Sequence, residues 1–261
     1  MAITSSVIGL FLVLRRNSLF GDALSHVAFG GIAVGLVANI YPLWTGLALS
    51  ILGALGITKL RQSTKIPSDA AVAILLSSGL ALGVVLVSLS GGFSLDLFSF
   101  LFGSIFLVSI EDTLAILAMT GIILAIVMML YRQLMYITFD EEQAKVSGLQ
   151  ISKLNYLFIV LASVGVIVSM RLVGILLVSS LIVIPNVTAL LFGRGFKKTA
   201  LISVSVSVFT VMTGIAVSYA FDLAPAGTIV LVSIGVFLAL LAWKSITKKR
   251  LKEKVVEEIK S

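Results

Sequence analysis

Apolar stretches of roughly 18 residues or more, each with few charges, follow one another at 22–40, 43–60, 69–90, 112–134, 152–170, 172–192, 199–220 and 225–244. A helix of that length crosses the roughly 30 Å of bilayer hydrocarbon. The pattern predicts an all-α, polytopic transmembrane bundle. A further apolar run at 1–14 reaches only about 21 Å at 1.5 Å per residue. It lacks the basic start and small-residue cleavage site of a signal peptide, so it is expected to be a short or truncated first helix, with the true start upstream. The span count is therefore about eight or nine. The segment 95–108 is also apolar but too short to cross, and is expected as a re-entrant or interfacial helix at the outer surface. No internal repeat, linker or soluble boundary interrupts the series. The predicted organisation is one transmembrane domain over 1–245 and a charged tail at 246–261, which continues the last span as a solvated helix.

Composition agrees with the pattern. Hydrophobic residues make up 59% of the chain and charged ones 12%, where soluble domains average about 25% charged. The net charge of +7 suggests nucleic-acid binding only until the positions are considered. Arg15 and Arg16; Lys59, Arg61 and Lys65; Arg132, Lys145 and Lys153; Arg194, Lys197 and Lys198; and the tail from Lys244 fall in alternate loops, as the positive-inside rule requires. The intervening loops are uncharged at 41–43 or carry Asp96, Glu111, Asp112 and Asp222; only Arg171 breaks the rule. The C-terminus is thus expected in the cytoplasm, and the N-terminus outside if the first segment crosses. The basic excess is topological, and no nucleic-acid partner is expected.

Chemistry-bearing residues are few. Cysteine is absent, which excludes thiolate ligands and disulfides. A phosphate loop of the form GxxxxGK followed by Ser or Thr is also absent, since Gly193-Arg194-Gly195-Phe196-Lys197-Lys198-Thr199 has the wrong spacing. ATP, if it drives this protein, must bind another subunit. Ionisable residues within a span are costly and call for a functional hypothesis. Asp22 and His26, with Ser25 between them, stand at i and i+4 on one helical face. A carboxylate and an imidazole so placed suit a borderline divalent metal, although two ligands make an incomplete site. The alternative gives Asp22 an N-cap role and His26 a hydrogen bond in the bundle. Pro67-Ser68-Asp69 is a helix-start signal, so Asp69 reads as a cap first and as a pathway ligand second. Pro185, late in the run 172–188, is expected to kink its span and free a carbonyl, for a pathway lining or for helix packing. Asn186 beside it is a weaker pathway candidate; the sequon formed with Val187 and Thr188 carries no meaning at the inner edge of the membrane.

Two cytoplasmic segments are candidates for docking a partner. One, 139–149, is a short amphipathic helical turn bearing Glu141 and Glu142 with Gly148 as a stop. The other, 187–198, is a helix end running through Val187, Thr188 and Phe192 into Gly193, Arg194, Gly195, Lys197 and Lys198. Each also fits an ordinary connecting loop.

At these residues the chain resembles the metal-uptake ABC transporter permeases of the zinc and manganese group. The stretch LVLRRNSLFGDALSHVAFGGIA, with arginines ahead of Gly-Asp-Ala-Leu-Ser-His, resembles that family's signature. FSFLFGSIFLVSIED, FDEEQAKVSGLQISKLNYL, RLVGILLVSSLIVIPNVTALL and SYAFDLAPAGTIVLVSIGVFL follow in the family's order. The resemblance covers about residues 12–243. Gly30 stands where the family usually has proline, which bears on the break expected after His26.

The resemblance implies a type II importer permease in a prokaryotic plasma membrane, with no resident cofactor and no bond chemistry of its own. It implies a homodimer of permeases with two cytoplasmic ATPase subunits, fed by an extracellular metal-binding protein. The cargo would be zinc or manganese, or else iron. Asp22 and His26 become candidate gating ligands. The segment 187–198 becomes the first choice for the element seated in the ATPase, with 139–149 packed beside it. Competing readings are a permease for iron chelates or cobalamin-like ligands, an ion-coupled secondary transporter, and a scaffold without transport.

Overall fold

The computed structural model describes residues 1–63, 66–90, 101, 103 and 110–260, with side chains at all of these except 62, 111, 112, 172 and 248–260. Among the described residues ten helices follow in order: α1 Ala2–Leu14, α2 Phe20–Ala38, α3 Pro42–Ser63, α4 Ser68–Leu89, α5 Ile110–Met129, α6 Tyr131–Phe139, α7 Glu141–Val146, α8 Ile151–Leu190, α9 Phe196–Phe221 and α10 Pro225–Lys260. Among the described residues, seven segments are long and apolar enough to cross a membrane, or eight when the bent pair α5–α6 counts as one. The predicted outer segment 95–108 lies outside the described residues apart from Leu101 and Gly103, as do Asp96 and the side chains of Glu111, Asp112 and most of the tail.

The predicted spans match these helices within a few residues, with three departures. The span expected at 112–134 does not run straight: the chain bends by 63° between Thr113–Met129 and Tyr131–Phe139. The physical reason is the Tyr131-Arg132-Gln133 cluster, which is too polar for hydrocarbon; Tyr131 turns aside to stack edge-on against Phe196, centroids 5.4 Å apart. Next, the dihedrals at Pro185 stay helical, while the break in α8 falls at Gly174, at φ 76° and ψ 167°. That conformation suits only glycine, and there the chain reverses. Gly165 packs on Ile8, while Ile182 packs on Gly9 one residue along α1, so the two halves of α8 reach the same level of the bundle from opposite directions. Last, α2 continues unbroken past His26.

α1 and α2 form the centre. Thr4, Ser5, Ser6 and residues 8–12 of α1 are all buried. In α2, 72% of the span is buried, against 22% for the spans of α9 and α10 at the periphery. The core unites Phe11, Leu24, Phe29, Ile32, Phe158, Met170 and Ile175, each under 3% exposed. Large apolar side chains such as Leu201, Met212 and Leu231 face outward, as they should where the solvent is lipid. The buried residues of α9 are instead Thr199, Ser203, Ser207, Thr210, Gly214 and Ser218, a small-residue seam of the kind that lets membrane helices approach closely. Hydrogen bonds cross it, with Ser203 Oγ at 2.6 Å from Asn186 Oδ1 and 2.7 Å from Ser6 Oγ.

α2 is clamped by backbone on two sides. A Cβ on Gly79 of α4 would stand 2.6 Å from the Val27 nitrogen and Cα and 2.8 Å from the His26 carbonyl carbon. One on Gly31 would meet the Cα of Gly46 in α3 at 2.7 Å. Gly79→Ala is therefore expected to cost about 1–3 kcal/mol by overpacking, read as a lower midpoint in thermal unfolding of the purified protein. Gly121→Ala, where a Cβ meets nothing within 4 Å, should cost nothing.

Candidate functional site

From Phe20 to Ala33 every residue of α2 is buried except Asp22 and His26. The i, i+4 spacing read from the sequence thus makes the one accessible face on the inner two-thirds of the central helix. Asp22 lies in the first turn, where the helix dipole favours a carboxylate. It is not the N-cap; Leu19 is, without a side-chain cap. The Asp22 carboxylate instead accepts a hydrogen bond from Ser179 Oγ, in the second half of α8, at 2.6 Å. His26 Nε2 lies 3.6 Å from Asp22 Oδ1, with the two side chains 22% and 30% exposed. That separation is too long for a hydrogen bond and leaves lone pairs on both residues for a third atom. His26 Nδ1 is enclosed without a hydrogen-bond partner.

The other predicted pathway residues are placed elsewhere. Ser25 is fully buried, and its hydroxyl donates to the Gly21 carbonyl at 3.0 Å. Asn186 is fully buried too. Its amide donates to the Ile182 carbonyl and accepts from Ser203, so its capacity is used in joining α8 to α9. Asp69 is exposed in the first turn of α4 behind Pro67, the N-cap, two residues further in than the cap position expected for it. Among the described residues no group of three or more His, Cys, Asp and Glu comes together. Ser179 was the residue sequence reasoning missed: it is one of two adjacent serines in an apolar run, with nothing local to mark which of them faces Asp22.

The basic ends of the helices gather at one end of the bundle, cytoplasmic by the positive-inside rule. There α7 stands as a separate short helix between α6 and α8. Asp140 caps it, accepting from the Gln143 backbone N–H at 2.9 Å, and Gly148 at φ 79° ends it. Ala144 is buried beneath it, while Glu141, Glu142 and Lys145 are exposed and Val146 is 90% exposed. The second predicted docking segment divides. Thr188 is buried within α8 and bonded to the Ile184 carbonyl, and Val187 is half-buried. Phe192, Gly193, Arg194 and Gly195 are exposed in the turn between α8 and α9, and Lys197 is exposed in the first turn of α9. This turn does lie beside the α6–α7 elbow, through the contact of Phe196 with Phe139 at 6.2 Å between centroids.

The model of the ABC 3 transport family matches residues 1–244. The chain belongs to that family. Its relatives include a "Probable metal transport system membrane protein" of Treponema pallidum (strain Nichols), 34% identical over 96% of this chain and 94% of that one. The manganese import system permease protein ScaB of Streptococcus gordonii is 30% identical over 91% of this chain and 85% of its own length. Among solved structures, PsaBC from Streptococcus pneumoniae in complex with Fab matches with a TM-score of 0.81 at 30% identity, over 92% of this chain and 86% of that one. The likeness covers most of the described bundle, and the chain is a multi-pass membrane protein of this transport family.

If the Asp22–His26 face holds a divalent cation, Ser179→Ala is expected to weaken its binding roughly 10–100-fold, the usual cost of losing a group that orients a metal ligand. Ser25→Ala should leave it unchanged. Titration of zinc or manganese into the purified protein, read by calorimetry, separates the two.

Proposed function

We propose that this chain is the membrane-spanning permease subunit of an ATP-driven importer of divalent transition-metal ions, zinc or manganese. The observation that carries the reading is the Asp22–His26 pair, the only accessible side chains on the inner part of the most enclosed helix. A structural carboxylate and imidazole at that depth would be expected to hydrogen-bond each other. At 3.6 Å they do not, and the Ser179 hydroxyl holds the carboxylate in place instead.

Two donors leave a four-coordinate ion short by two. A second copy of the chain about a two-fold axis presents the same surface and would bring a second Asp22–His26 pair, completing a site of two oxygens and two nitrogens. Such a donor set suits manganese and zinc alike. The bundles then rock so that the pair of pairs opens to alternate sides, and no bond in the cargo is made or broken. An extracellular metal-binding protein delivers the ion at the face opposite α7, in a prokaryotic plasma membrane.

The cytoplasmic ATPase seats on α7. This short helix is capped at both ends, anchored by Ala144, and displays Glu141, Glu142 and the exposed Val146. The turn bearing Phe192 and Arg194, with Lys197 just after it, supports it from the side. This ordering reverses the preference drawn from sequence, because 187–190 are the last turn of the long helix α8 rather than a separate helix.

Asp22→Ala or His26→Ala should abolish ATP-dependent uptake of zinc and manganese into proteoliposomes while the permease still co-purifies with its ATPase; normal uptake by both variants would refute the gate. Val146→Asp should reverse that pattern, with loss of ATPase co-purification and metal binding intact.

A further inference from the structure

Arg15 ends α1, and its charge had a purely topological reading in the sequence. Its side chain does not extend to solvent. The guanidinium Nε donates to Thr138 Oγ1 at 2.9 Å, in the last turn of α6, and Nη1 donates to Asn155 Oδ1 at 2.8 Å, near the start of α8. Its carbon lies 4.9 Å from the centroid of the Phe158 ring. Thr138 and Asn155 are the anchors on either side of α7. Glu141, the first residue of α7, lines the same cavity of about 480 Å³ as Arg15. One side chain therefore joins α1 to both flanks of α7.

We propose that Arg15 is the positioning residue that transmits movement of α7 to the metal-binding helix α2. This rests on the reading of α7 as the ATPase seat and of Asp22 and His26 as the metal site. The path is short. Arg15 is followed by the turn 16–19 and then by α2, with Asp22 in its first turn. That turn is tied down by backbone bonds from Asn17 N–H to the Leu12 carbonyl and from Phe20 N–H to the Asn17 carbonyl. A planar guanidinium with two fixed bonds and a ring beneath it moves as a rigid fork, in a way the flexible lysine ammonium does not. A displacement of the α6–α7–α8 elbow therefore carries the end of α1 with it. The third arm, Nη2, is buried with no hydrogen-bond partner. Burial pushes the Arg15 guanidinium below its ordinary pKa, and the Glu141 carboxylate works in the opposite direction. Glu141 is thus the charge toward which the open arm turns when α7 shifts.

The experiment uses the complete transporter, permease plus ATPase in proteoliposomes, and reads metal transported and ATP hydrolysed in the same preparation. The expected result for Arg15→Gln is ATPase co-purification and ATP hydrolysis within about twofold of the unmodified complex, with metal uptake down at least tenfold. Arg15→Lys should recover only part of the loss. The paired change Thr138→Val with Asn155→Leu, which keeps the arginine and removes its acceptors, should uncouple in the same way. Uptake and hydrolysis falling in proportion, or uncoupling by Arg15→Gln without the paired change, would overturn the proposal, and so would unaltered uptake. An unmodified complex that shows no ATP-dependent metal uptake would instead refute the function on which the proposal rests.

Discussion

Between helices in hydrocarbon there is little to gain from hiding a leucine, because lipid tails are as apolar as the bundle, so association depends on how closely backbones approach and on the polar groups they join. The structure depends on this at α2. Gly79 brings α4 against the backbone at His26 and Val27, and Gly31 meets Gly46 of α3. With both flanks closed by backbone, α2 is accessible between Phe20 and Ala33 only along the stripe of Asp22 and His26. The same contact that stabilises the bundle therefore isolates the two polar residues and fixes where they point. Gly30 takes part as well: a Cβ there would stand 2.7 Å from the Gly79 carbonyl oxygen. Glycine at this position keeps both the continuity of α2 and the closeness of α4.

Polar residues inside the bundle divide into two kinds by what satisfies them. The chain Ser6–Ser203–Asn186 joins α1, α9 and α8, and Asn186 is used further on its own Ile182 carbonyl. Nothing in that network is available to a ligand. Ser179 and Asp22 also form a cross-helix hydrogen bond, but the carboxylate keeps further acceptor capacity and is partly exposed. Exposure and spare acceptors, rather than polarity alone, separate the proposed pathway residue from the structural ones.

Most of the architecture was legible because the bilayer imposes it: a span needs about 20 apolar residues, and basic clusters mark the cytoplasmic ends. The parts that were not legible involve contacts between distant segments. The reversal at Gly174 could not be placed by composition, since the apolar run continues across it and Pro185 offered a more familiar breaker; only tertiary packing decides which residue takes the left-handed backbone. The Asp22–His26 pair was visible because both residues lie on one helix. Ser179, Thr138 and Asn155, which hold Asp22 and Arg15 from other helices, left no local signal. Asn186 showed the converse, a polar residue beside a helix breaker whose partners were both structural.

The spacing of the site limits how it can act. Asp22 and His26 are held one turn apart on one helix, so on the proposed metal-site reading the distance between them changes little whether the ion is manganese or zinc. On the dimeric reading, the variable quantity is the separation of the two α2 helices across the two-fold axis. Closing them sets the coordination number and the size of the ion accepted, and parting them releases it. Selectivity by affinity alone would favour zinc and copper over manganese, so a permease serving manganese must rely on the geometry of approach. Gating and selection are then one movement, and the elements that govern it are those that place α2: the glycine contacts of α3 and α4 at its sides, and the short turn after Arg15 at its cytoplasmic end.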